Sequence, residues 1–277
     1  MPEMFDRMMA DAARDPAGGF AGVLKDHEAA AMRATTLSAR EERQIGLRQR
    51  EEFLNSMKAN GFPIARDARS QAYLEALVNR LAGRMKNRAR YPKIDVFLIT
   101  SPVPDGQAIA GGSVVFTTAL LDEPDEATVA GVVAHELAHL DRGHVFEYAK
   151  REKLAQTAFS GGMPDPSAMM TRGMALGSLM MDPYRPEHEH EADCTAATWL
   201  YQDGYSPHGL ADFFNRMHRR NRDRPDTAFW KVARWHPYSL DRREAVLERL
   251  TQLQRWKPRD DLKLYPDNLA RRSARSD

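Results

Sequence analysis

Apolar positions recur every three or four residues through most of this chain. Only between Lys93 and Leu121 do they gather in the short, β-branched runs of strands. The spacing predicts a helix from Ser38 to about Lys58, opened by the capping-box sequence S-A-R-E (38–41) and stopped at Asn60-Gly61. Leu74, Leu77, Val78 and Leu81 mark a second helix over roughly 68–85. KIDVFLIT (93–100), bounded by Pro92 and Pro102, predicts a strand. QAIAGGSVVFTTALL (107–121) predicts a second strand, with Gly111-Gly112 as a bulge or close backbone approach. One long helix is expected over 125–154, capped by Asp125, with Val129, Val132, Val133 and Leu140 on its apolar side. Further helices are expected over 185–204, from Ser206-Pro207 onward with the stripe Leu210, Phe213, Phe214 and Met217, and in the 235–250 region.

Three stretches break this pattern. Residues 1–36 read as a loosely attached arm. Residues 155–185 hold six of the fourteen methionines, four glycines and three prolines, which suits a flexible cover segment. The tail 254–277 has mixed charge and no periodicity, so partial disorder is expected there. The fold class expected for the rest, 37–253, is α+β and mainly helical, with a small sheet.

Charge narrows the class of partner. Forty basic against 39 acidic side chains leave a net charge of +1, with no global field to draw the chain to nucleic acid. No run approaches the ~18 uninterrupted apolar residues of a membrane span. The N-terminal stretch lacks the basic and apolar regions of a signal peptide. The expectation is a soluble chain, cytoplasmic as written, or extracytoplasmic if a leader has been removed. Cys194 is the single cysteine, which rules out a disulfide framework and any Cys-based zinc site.

The chemistry concentrates in VVAHELAHLDRGH (132–144). His135 and His139, four residues apart on a helix, lie on one face, as two ligands of one zinc require. Glu136 between them brings a carboxylate beside the metal's open position. A hydrolytic zinc usually takes a third protein ligand. His144 falls about 140° round a continuous helix from His139 and is expected to be a structural or surface histidine. EHEHEAD (187–193) is the denser source. Spacing there permits Glu189 paired with Asp193 or, equally, Glu187 paired with Glu191; one carboxylate would bind metal, and the other would accept an imidazole N–H. The remaining side chains of that cluster, including His188 and His190, are expected on a solvated face.

H-E-L-A-H (135–139), His144, E-H-E-A-D (189–193) and H-P-Y-S-L-D-R (236–242), in that order, resemble the HtpX, BepA and CAAX prenyl endopeptidase family of zinc metallopeptidases. The resemblance covers roughly 37–253 and includes the QAIAGGSVVFTTALL stretch upstream of the metal helix. It implies a zincin-like core in which the small sheet is packed by the HExxH and ExxAD helices. It also implies one zinc per chain on His135, His139 and Glu189, Glu136 as catalytic base, Asp193 behind the ligands, and His236 as a histidine that approaches the metal, expected here as a second catalytic residue that stabilises the developing oxyanion. Gly112, Ser113, Val114 and Val115, if they form a sheet edge, and Arg242 are expected to meet substrate. Asp105 and Ala110 stand where the family usually has Asn and Pro. Neither the family's membrane helices nor a tetratricopeptide domain is present in this sequence.

The function expected is zinc-dependent endoproteolysis of unfolded or extended polypeptide segments, in the manner of protein quality control. The alternative is a chaperone-like or regulatory binding protein, with His236 closing a mostly inactive zinc site.

Overall fold

The structure is a computed structural model and describes residues 29–160, 185–223, 236 and 240–269. Most of the expected arm and of the Met-rich cover segment lies outside the described residues. Two compact units are present, one of residues 43–146 with 184–277 and one of 1–42 with 147–183.

In the larger unit, helix α1 (Ala39–Ala59) and α2 (Ala68–Ala82) precede a three-stranded sheet of β1 (Asp95–Ile99), β2 (Gly106–Ile109) and β3 (Ser113–Thr117). The strand order is β1-β3-β2. β3 runs parallel to β1, with Asp95 opposite Ser113, and antiparallel to β2, with Ile109 opposite Ser113. The single strand expected over 107–121 is therefore a hairpin. Gly111 and Gly112 both have positive φ (72° and 86°), a left-handed pair that reverses the chain instead of bulging it. Arg43 and Arg50 of α1 reach Asp95 at 2.5 and 3.1 Å and tie that helix to the first strand.

Helix α3 (Glu126–Arg142) is the hub: α2, β2, and the later helices α5 (Pro186–Asp203) and α6 (His208–Asp223) all pack on it. Every residue from Glu126 to Asp141 is buried, as expected of a helix apolar on nearly all sides. The long helix expected over 125–154 is two helices. Gly143, at φ 82°, takes the left-handed C-terminal position of α3, its N–H bonding to the carbonyls of His139 and Leu140; α4 (His144–Ser160) then starts afresh. Helix α7 (Leu240–Trp256) crosses α5 and α6, and Leu250 and Leu253 join Tyr201 in a small apolar cluster that Leu262 covers.

That last contact lies in the part of the 254–277 tail that the structure describes, which ends at Leu269. Residues 257–269 are placed by specific polar contacts: Arg259 donates to the Tyr201 carbonyl at 2.5 Å, and the Lys263 N–H to the Gly204 carbonyl at 3.0 Å. The carbonyls of Tyr265 and Leu264 accept the Glu126 and Ala127 N–H groups at 3.1 and 2.9 Å. Those amides belong to the first turn of α3 and have no partner within the helix. Thr128 N–H completes the cap on Asp125 at 2.8 Å. A stretch without periodicity is thus ordered by the orphan donors of a buried helix.

Within the smaller unit, the S-A-R-E box is formed. Ser38 and Glu41 exchange backbone and side-chain hydrogen bonds, and Lys153 of α4 reaches Glu41 at 2.6 Å and the Thr36 carbonyl at 2.7 Å.

Candidate metal centre

One turn of α3 separates His135 from His139. Their rings meet edge-on with centroids 4.6 Å apart and Nε2 atoms 3.0 Å apart. Glu189 enters from the first turns of α5, its two oxygens 3.5 Å from His135 Nε2 and 3.3 Å from His139 Nε2. His236 brings Nδ1 to 3.0 Å from both Glu189 oxygens. All four side chains are buried, and one donor atom from each lies within 4.8 Å of the others. Donors about 2.0–2.2 Å from a tetrahedral zinc are themselves about 3.3–3.6 Å apart, so these separations suit the ion. Two imidazoles and a carboxylate are also zinc's usual oxygen and nitrogen set, and the cluster fits one ion per chain.

Glu189, not Glu187 or Glu191, is the residue that joins the histidines, and tertiary packing decides it. Glu187 and Glu191 are exposed, whereas Glu189 and Asp193 share the buried face of α5. Asp193 Oδ1 accepts from His135 Nδ1 at 2.8 Å, which leaves Nε2 for the cluster. Arg242 of α7 clamps the acidic pair. Its Nε and Nη2 donate to the two Asp193 oxygens at 2.8 and 2.7 Å, Nη1 lies 2.8 Å from Glu189, and its plane covers the Phe214 ring at 4.1 Å. The substrate contact expected of Arg242 is not what this geometry provides, because the guanidinium is spent on the carboxylates behind the cluster.

The protonation pattern follows from burial and neighbours. Burial and the Arg242 charge work against the protonated form of His135, but the carboxylates of Asp193 and Glu189 outweigh them and hold its pKa up at about 9. Burial pushes His139 well below the usual imidazole range despite Glu189 beside it, which favours the neutral ring. Glu189 is itself held well below the carboxylate range: burial opposes this, and the charges of His236 and Arg242 prevail.

Glu136 lies between that set and the sheet. The Ala108 N–H of β2 donates to its Oε2 at 2.6 Å, and Oε1 lies 3.5 Å from His236 Nε2. The approach is close enough that a Cβ on Gly106 would sit 3.0 Å from both Glu136 Cγ and Val132 Cγ1. The edge expectation for Gly112–Val115 is corrected here. Ser113–Thr117 is the middle strand, with a neighbour on each side, so its backbone groups are already committed. β2 lies at the side of the sheet nearest Glu136. Asp105, in the position where Asn was expected, accepts the Gly106 N–H at 2.9 Å.

His144, expected as a structural or surface histidine, stands outside the four-residue cluster but directly behind one of its members. It is buried, 2.9 Å from His139 Nδ1 and 3.2 Å from Glu191, with its ring stacked on His188 at 4.2 Å. The glycine before it carried the signal: once Gly143 ends α3, a helical wheel extended past Arg142 no longer describes where His144 points. Cys194 lies 3.9 Å from the His190 ring and takes no part in the cluster.

Residues 68–250 match the family described as Peptidase family M48. The chain is 26% identical over 199 residues to the beta-barrel assembly-enhancing protease of Yersinia pestis, covering 68% of this chain and 40% of that protein. Similarity to metalloprotease LoiP of Escherichia coli K12 is 25% over 181 residues, covering 64% and 67% of the two chains. Metalloprotease YcaL of the same organism matches at 26% over 182 residues, 64% and 66%. The chain thus spans less than half the length of the first of these relatives.

Proposed function

Given that the chain belongs to peptidase family M48, we propose that it is a zinc-dependent metalloendopeptidase that cuts extended or unfolded protein segments. The observation that carries this reading is the convergence of His135, His139 and Glu189 within 4.8 Å, with the Glu136 carboxylate alongside. In the proposed site those three residues hold the ion, and Asp193 and Arg242 keep the ligands in place. Zinc bound there supplies Lewis acidity toward the scissile carbonyl and lowers the pKa of a water. Glu136 accepts the proton from the attacking water and returns it to the leaving nitrogen.

Substrate pairing belongs on β2. The Ala108 N–H turns to the side of β2 away from β3, where it meets Glu136. An extended peptide laid along that side takes the Ala108 N–H from Glu136 and releases the carboxylate as base, which favours unfolded segments over folded surfaces. A quality-control setting draws support from the name of one relative, which couples proteolysis to β-barrel assembly.

A second reading rests on His236, whose Nδ1 stands among the four donors. As a fourth ligand it closes the coordination shell, and the chain becomes a chaperone-like or regulatory binding protein with a mostly inactive site.

Casein hydrolysis by wild type and Glu136→Gln, with zinc content measured on both, tests the two. Endoproteolysis predicts a loss of about 10²- to 10⁴-fold in the variant at unchanged zinc. A wild type that binds zinc tightly, cleaves nothing and is indifferent to Glu136→Gln favours the closed site. Near-normal cleavage by a zinc-loaded Glu136→Gln defeats the assignment of the base.

A further inference from the structure

The two histidines of α3 are oriented by different partners. Behind His135 stands a carboxylate, Asp193, at 2.8 Å. Behind His139 stands another imidazole: His144 Nδ1 lies 2.9 Å from His139 Nδ1, with the rings edge-on at 4.9 Å and 70°. The other nitrogen of His144, Nε2, lies 3.2 Å from Glu191 Oε2. Arg142 flanks that carboxylate at 3.5 Å and donates to Thr195 at 3.0 Å, while the His188 ring lies flat on His144 with an interplanar angle of 6°.

Hydrogen positions follow from these contacts. A His139 that offers Nε2 to a metal carries its proton on Nδ1 and donates it backward. To accept it, His144 must be bare at Nδ1 and protonated at Nε2, and that proton points at Glu191. Of the two neutral tautomers of His144, one satisfies both contacts and the other neither. We propose that His144 and Glu191 form a relay that fixes the tautomer and rotation of His139, making both of them positioning residues for the zinc. This rests on the reading of His139 as a ligand. A carboxylate behind a ligand imidazole raises its basicity, and here the effect passes through a second ring. α4 is what permits it: the turn at Gly143 brings the first residue of the next helix back beneath His139.

The test measures zinc dissociation constants by chelator competition on the full chain, together with the visible spectrum of the cobalt-substituted protein. His144→Phe keeps a ring of similar size and removes the acceptor. His144→Asn returns an acceptor oxygen close to where Nδ1 stood. The relay predicts zinc binding weakened about 10- to 100-fold by His144→Phe, with shifted cobalt bands, and largely restored by His144→Asn. Glu191→Ala, at a half-exposed position that folding tolerates, is expected to weaken binding by a smaller factor. Wild-type affinity and spectrum in His144→Phe overturn the relay. Equal losses in Phe and Asn also overturn it, because ring packing then matters and the hydrogen bond does not. If His144→Phe fails to fold, Glu191→Ala decides, and unchanged affinity there overturns the proposal. His139→Ala separates the two readings: zinc retained at wild-type affinity in that variant defeats the ligand assignment itself.

Discussion

Helices α3 and α5 both bring side chains to the metal cluster, yet they are built on opposite terms. α3 carries its own start and stop, an Asp125 cap and the left-handed Gly143, and it is buried from Glu126 to Asp141. Its two histidines meet because four residues make one helical turn. α5 opens at Arg185-Pro186 with no side-chain cap and keeps Glu187, His190 and Glu191 in solvent. Its buried carboxylates are held from outside, by Arg242 on α7 and by the imidazoles of α3 and His236. Local periodicity suffices for half of the site; the other half exists through charge compensation at long range.

The sharpest way to press this contrast is to remove the α5 contribution directly. Glu189→Ala is expected to weaken zinc binding by more than the about 100-fold that loss of an outer partner brings. Zinc per chain after exhaustive dialysis measures it. Wild-type content there would mean α3 alone, or another carboxylate, makes the site.

Next in size is the clamp. Arg242→Leu leaves Asp193 and Glu189 buried with their main cationic partner gone, which costs about 3–5 kcal/mol when such a pair is broken. Urea unfolding of the metal-free protein should register that loss, and added zinc should recover part of it by neutralising the same carboxylates. A change below about 1 kcal/mol would erase the distinction between the helices, since α5 would then hold its acids unaided.

The smallest effect belongs to the start of α3, whose first-turn amides are shared between Asp125 and the tail. Asp125→Ala removes the acceptor for Thr128 N–H, a loss of about 1 kcal/mol. The figure stays modest because Tyr265 and Leu264 continue to serve the two neighbouring amides. A shift in unfolding midpoint several times larger would show that α3 depends on this one cap.

The same contrast explains what was legible beforehand. His135, Glu136 and His139 could be read from spacing because a helix brings them together without help. The stripe Leu74, Leu77, Val78 and Leu81 announced α2 for the same reason, and all four side chains are buried. Spacing left the pairs Glu189–Asp193 and Glu187–Glu191 equivalent, and what separates them is a guanidinium about fifty residues further along the chain. Apolar patterning ran straight through Gly111-Gly112 and Gly143, where backbone conformation ends an element that side-chain character would have continued. The order of residues 257–269 was hidden for a related reason. Its residues have no core of their own and are ordered by unsatisfied amides on α3, a demand invisible in their own composition.

Those amides carry a consequence for how the chain comes off the ribosome. The Glu126 and Ala127 amides of α3 find their acceptors only when Leu264 and Tyr265 arrive, roughly 140 residues later, which at ~5–20 residues per second is on the order of ten seconds of synthesis. Arg242 and His236 are also late arrivals. A nascent chain therefore holds its H-E-L-A-H segment well before it can bury Glu189 and Asp193 or close the end of the helix that presents the base. Assembly order itself keeps the centre incomplete until His236 and Arg242 have emerged, so a molecule cut short before them should carry the motif without the site.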